Sequence, residues 1–97
     1  MKQLRQTTHF EHWFQRLRDT VSKGRILARL KMVANGHYGD CKPVGDGVIE
    51  LRIFAGPGYR LYCSERENEV VLLLIGGDKS SQPRDIERAK QINREEP

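Results

Sequence analysis

The stretch "VVLLLIGG", residues 70 to 77, constrains the fold of this chain more than any other. Its six consecutive apolar residues leave no polar face for water. It is far too short to span a bilayer, which needs about 20 residues. The run is apolar on both faces and therefore predicts the central strand of a sheet, whose helices are expected on one face. Upstream, the apolar residues recur with a period of two. Ile49, Leu51 and Ile53 fall on one face, and Val48, Glu50, Arg52 and Phe54 on the other. After the turn "GPG", Tyr59, Leu61 and Cys63 alternate with Arg60, Tyr62 and Ser64, and "ERENE" makes the next turn. The preceding segment "HYGDCKPVGDG" is rich in turn formers and reads as a loop entering a strand.

The N-terminal part has a different period. "KQLRQT" reads as a short first strand. Thr8 is then a candidate N-cap for Phe10, Trp13, Phe14 and Leu17, which share one helical face up to about Asp19. Ser22 is a second candidate cap, followed by Ile26, Leu27, Leu30 and Val33 with Ala34, and closed by Asn35 and Gly36. Pro83 suits the first turn of a closing helix that carries Ile86, Ala89, Lys90 and Ile92 or Asn93. The order β, α, α, β, β, β, α predicts an α+β fold: a two-helix hairpin on one face of a small, mainly antiparallel sheet, with a C-terminal helix. Ninety-seven residues support one core, so residues 1–97 read as a single domain.

Charge is unevenly spread. Met1 to Lys42 holds nine Lys or Arg against Glu11, Asp19 and Asp40, a balance of +6. Pro43 to Asp78 has three basic and six acidic residues, a balance of −3, and the whole chain carries +4. Lys23, Arg25, Arg29 and Lys31 lie on the second helix and suit either a solvated face or an anionic partner. Cys41 and Cys63 have no CxxC spacing, and "MKQLRQTTHF" lacks the apolar core of a secretory signal. Reduced thiols, a cytoplasmic location and no membrane partner are the expectations.

Parity links the hairpin to a site. For Leu51 and Leu61 to share the helix-covered face they must stand opposite each other, which sets Arg52 opposite Arg60 on the other face. Like charges so opposed cost a few tenths of a kcal/mol to about 1 kcal/mol. Ion pairs with Glu50 and Glu65 would offset this. So would an anionic ligand, because a guanidinium offers a fixed fork of donors suited to phosphate. The loop "GGDKSSQ" leaves the central strand beside the hairpin and brings Lys79 toward the same face. Its glycines permit close backbone approach, and Ser80 or Ser81 can cap a helix or touch a phosphate. It lacks the length and lysine placement of a nucleotide-binding P-loop.

With the helix pair, "GDCKPVGDGVIELRIFAGPGYRLYC" and "VVLLLIGGDKSSQPRDIERAKQ" in that order, the chain resembles the RelE/ParE superfamily of bacterial toxin components, and within it the HigB-like addiction-module killer proteins. The resemblance spans nearly the whole chain. It implies a toxin neutralised by a cognate HigA-like helix-turn-helix antitoxin, and operator DNA bound through that complex. In the ribonuclease branch it implies a metal-independent endonuclease that cuts mRNA on the ribosome and needs no cofactor. The family's basic cluster falls on Arg52 in "ELR", Arg60 in "GYR" and Lys79 in "GGDKS", joined by Lys42 from the loop. From their own chemistry Ser80 is a further candidate RNA contact, and Tyr38 reads either as a packed loop tyrosine, the favoured reading, or as a ring stacked on a base. Glu50 and Asp78 would orient these charges. The chain departs from many RelE-like nucleases in one respect: "RDIERAKQINREEP" has no tyrosine or histidine to place near the scissile phosphate. Arginine, with a reference pKa of about 12.5 to 13.8, serves as a charge stabiliser. Lysine starts near about 10.4, which makes Lys79 the candidate proton carrier.

Other residue patterns carry less chemistry. His9 and His12 flank Glu11, but "HFEH" is not HExxH and no third ligand cluster accompanies it. Pairing His12 with His37 as acid and base needs a proximity that the spacing does not supply. Trp13 belongs to the apolar stripe of the first helix. Two other functions fit the same superfamily: a ParE-like poison that binds DNA gyrase without cutting, and a transcriptional regulatory module that acts with its antitoxin. Three cations on one sheet face favour the nuclease.

Overall fold

The computed structural model describes the whole chain, Met1 to Pro97. Strand β1 (Gln3–Gln6) leads into helices α1 (Thr8–Arg16) and α2 (Thr20–Ala34). Strands β2 (Cys41–Gly45), β3 (Val48–Ile53), β4 (Tyr59–Arg66) and β5 (Val70–Asp78) follow, then a 3₁₀ turn (Lys79–Ser81) and helix α3 (Gln82–Glu95). The five strands form one sheet in the order β1-β5-β4-β3-β2. The β1/β5 pair is parallel and the other three pairs are antiparallel. This is the expected α+β architecture with its helical hairpin and C-terminal helix. The apolar strand β5 is interior, between β1 and β4, while β4 occupies the middle position.

The hairpin register follows the parity reading: Leu51 faces Leu61, and Arg52 faces Arg60. Leu51, Ile53, Tyr59, Leu61, Cys63, Val71 and Leu73 form one core with Phe10 of α1 and Ile26, Leu30 and Val33 of α2. The opposite face is covered too. Val48, Tyr62, Leu72 and Leu74 pack against Ala89 and Ile92 of α3, forming a second, smaller core. The parity of the hairpin is expected for a sheet with helices on one face only; α3 covers the other face as well. The amphipathic spacing of α3 required an apolar floor, and Tyr62 with Leu72 and Leu74 supplies it.

Residues 41–45 are an edge strand and not a loop. Lys42 pairs with Glu50, and the strand runs between a bend at Asp40, just after Gly39, and a reversal after Gly45, where Asp46 and Gly47 both take positive φ. Pro43 is tolerated because the strand lies at the sheet edge. The helix starts are each displaced from their expected caps. Thr7, not Thr8, caps α1 by accepting from the Phe10 amide at 3.0 Å. Asp19, not Ser22, caps α2 by accepting from the Val21 and Ser22 amides, so α1 ends at Arg16 instead of continuing toward Asp19.

A bulge in β5 determines what lies under each helix. Tyr62 pairs with Ile75 and Cys63 with Leu73, leaving Leu74 without a partner. The Thr7 hydroxyl donates to the Leu74 carbonyl at 2.7 Å, which ties the start of α1 to this bulge. The extra residue inverts the side-chain alternation. Gly76 consequently lies beneath Trp13 of α1 and Gly77 beneath Asp85 of α3, and a Cβ at either position would collide with that side chain. The glycine pair is therefore the seat of two helices and not a phosphate cradle.

Candidate functional site

Two rows of side chains cross the α3 face of the sheet. One runs from Lys42 through Glu50 and Tyr62 to Ile75, and the next from Arg52 through Arg60 to Gly77. The first row is anchored from above. Glu50 is fully buried, and its Oε2 accepts from the Tyr62 hydroxyl at 3.1 Å and from Gln82 Nε2 at 2.9 Å. Burial, then the adjacent Glu50 charge and hydrogen bond, raises the Tyr62 pKa, with Arg60 opposing. The phenol therefore keeps its proton and donates it to Glu50.

The arginine row lies where α3 begins. Arg52 Nη2 pairs with Asp40 Oδ1 at 3.0 Å, and Arg60 Nη1 donates to the Gly58 carbonyl at 2.7 Å. The Nε groups of both arginines are buried without a hydrogen-bond partner, as is Oε1 of Glu50. A buried unpaired donor costs about 1 to 3 kcal/mol, and more when it is charged. Arg52 and Arg60 are nevertheless only half-buried, so a phosphate oxygen can reach their Nη edges and not the buried Nε atoms.

Several sequence expectations change place. Glu50 and Glu65 do not neutralise the arginine pair: Glu50 is held by Tyr62 and Gln82, and Glu65 pairs with Lys2 at 3.1 Å. Asp40, which the sequence reading passed over, is the carboxylate partner of Arg52. Extending the Lys42–Glu50 register by two residues sets Asp40 beside Arg52, so recognition of β2 would have found it. Asp78 makes no direct salt bridge to the cluster. Its carboxylate accepts from the Ser80 amide at 2.8 Å and the Ser80 hydroxyl at 2.5 Å, contacts that hold it below the usual carboxylate range, and the Arg60 charge adds to them in favouring the ionised form. Ser80 is thereby engaged in capping the 3₁₀ turn. Lys79 is exposed, and its Cβ lies beside Gly58, whose carbonyl accepts Arg60. Lys42 is exposed on β2 across from Glu50.

Tyr38 does not join this face. It packs against the core under α1 and α2, and burial followed by the Glu65 charge raises its pKa to about 12. Of the two readings of Tyr38, this placement fits the packed loop tyrosine. Gln82 and Asp85 were not anticipated, because only the docking of α3 brings them over the sheet. Asp85 accepts a short hydrogen bond from the Ser81 hydroxyl above Gly77. Both cysteines are free, and burial lifts the Cys63 thiol to about 12, which makes it unreactive. His9 lies 3.5 Å from an Arg88 nitrogen, and no group of three His, Cys, Asp or Glu side chains converges.

The chain is 43% identical over 93 residues to an uncharacterized protein of Haemophilus influenzae, a match that covers 96% of this chain and 94% of that protein. The chain belongs to the same family as that protein. The two proteins match over nearly their full lengths. No protein-family model matches the chain. No helix is long and apolar enough to cross a membrane.

Proposed function

We propose that this chain is the toxin component of a type II toxin–antitoxin pair, a cytoplasmic, ribosome-dependent mRNA endonuclease of the RelE/ParE superfamily with HigB-like character. The resemblance of the motifs supports the family, and one observation supports the chemistry: two half-buried arginines stand opposite each other on β3 and β4. In the proposed reaction a 2′-hydroxyl loses its proton and its oxygen attacks the adjacent phosphorus. A 2′,3′-cyclic phosphate forms as the bond to the 5′-oxygen breaks, and that oxygen takes up a proton. Arg52 and Arg60 stabilise the doubly charged phosphorane between these steps, and Lys79 carries the proton. Removing one such donor costs about 10²- to 10³-fold in rate.

The antitoxin has a natural seat on α2. Val21, Leu27 and Met32 are exposed there among Lys23, Arg25 and Lys31, a surface suited to an acidic, partly apolar segment. The test is induced expression with pulse labelling of protein synthesis beside plasmid topology, together with primer extension on ribosome-bound mRNA. Translation is expected to stop first, with new mRNA ends that vanish in Arg60→Ala. Early loss of supercoiling with translation intact would instead identify a gyrase poison.

A further inference from the structure

Phe54 is the one aromatic side chain that the fold leaves outside. It is 77% exposed, enters neither core and pairs with no other ring, although Phe10, Trp13, Phe14 and Tyr59 all do. A single exposed phenylalanine needs no explanation by itself. Its position supplies one. It lies just past the end of β3, two residues beyond Arg52, and both of its neighbours, Ile53 and Ala55, pack toward the helical-hairpin core, which leaves Phe54 on the opposite side with Arg52. Its backbone is held, since the Phe54 carbonyl accepts from Arg25 Nη1 at 3.2 Å and the following turn is closed by the Gly58 amide donating to Ala55. A solvent-facing ring on a held backbone therefore stands two residues beyond Arg52, just past the end of the strand on which Arg52 faces Arg60.

The geometry points to Phe54 as a base-stacking platform that receives the unpaired base next to the phosphate held by Arg52 and Arg60. An aromatic face accepts any base, and alternation of ring and cation along a path is how proteins hold single-stranded nucleic acid. Phe54 is in this reading a binding and positioning residue, because stacking orients the sugar whose 2′-oxygen attacks. The inference rests on the proposed nuclease function and adds the contact that fixes the base.

The test measures affinity for ribosomes programmed with an mRNA whose A-site codon carries 2′-O-methyl sugars, so that nothing is cut. A second mRNA has one A-site base deleted to an abasic sugar, each codon position being tried in turn. Phe54→Ala is expected to weaken binding by roughly 5- to 150-fold with an unchanged melting temperature, Phe54→Trp to restore it, and Phe54→Leu to restore little. At one codon position the abasic mRNA should lose the same factor, and Phe54→Ala should add nothing to that loss. Arg60→Ala should differ in kind, weakening binding equally on both mRNAs and flattening its salt dependence. If Arg60→Ala weakens binding but Phe54→Ala matches wild type, the stacking role is overturned and the arginine site stands. If Phe54→Ala loses the same factor on every abasic mRNA as on the intact one, its contact is not with a base and the inference is likewise overturned. Wild-type protein that neither binds programmed ribosomes nor cuts mRNA would overturn the nuclease reading itself.

Discussion

Gly76→Ala tests how the fold seats its first helix. A Cβ at this position meets Cε3 and Cζ3 of Trp13 well inside contact distance. The obstacle is a rigid ring, not the far end of a flexible chain. Trp13 cannot swing freely, because Phe10 lies 5.7 Å from it and Tyr59 stands edge-on at 6.0 Å between ring centres. Overpacking of this kind costs about 1 to 3 kcal/mol, which for a domain of this size lowers the melting temperature by about 4 to 24 °C. Thermal unfolding followed by circular dichroism measures it. Trp13→Leu removes the obstructing ring, so the double variant Trp13→Leu/Gly76→Ala should melt close to Trp13→Leu alone, a coupling of about 1 kcal/mol or more. A Gly76→Ala protein that melts within about 1 °C of the parent, or strict additivity in the double variant, would refute the placement of Trp13 on β5.

Other outcomes follow from the same contacts. Arg60→Ala should lower mRNA cleavage by about 10²- to 10³-fold without loss of fold, since it removes a like charge and a buried orphan donor along with one bond to Gly58; primer extension beside thermal unfolding checks both parts. Thr7→Ala should destabilise the protein by about 0.5 to 2 kcal/mol in urea unfolding, through the lost cap and the freed Leu74 carbonyl, while Thr8→Ala should do far less. Glu50→Gln should bring the ionisation of Tyr62 down toward the ordinary tyrosine range, because the negative charge that disfavours the phenolate is removed; ultraviolet difference titration reads it. The Asp19 carboxyl is held below its usual range by Ser22 and Val21, and so contributes stability that is full above the unfolded pKa, about 3.9, and lost as pH falls through the lower folded value. Acid unfolding of Asp19→Asn should therefore show a shallower loss of stability below about pH 4 than the parent.

Local pattern alone determined much of this protein. Period-two alternation gave β3 and β4, the apolar run gave an interior strand, and the requirement that Leu51 and Leu61 share a face was enough to set Arg52 opposite Arg60. That inference succeeds because strand alternation has no intermediate state: a register slip of one residue would expose every core side chain. The tertiary structure decided the rest, for reasons that no local window contains. Residues 41–45 have weak strand chemistry and become a strand because β3 offers an unpaired edge, and Asp40 meets Arg52 only as a result. Tyr38 and Arg52 are separated by the sheet itself. The phase of Gly76 and Gly77 depends on one bulged residue, Leu74, whose carbonyl is satisfied from a distant Thr7. Gln82 reaches Glu50 only once α3 has docked on Tyr62 and Leu72, because the partners of a buried polar group are chosen by whichever element closes over it.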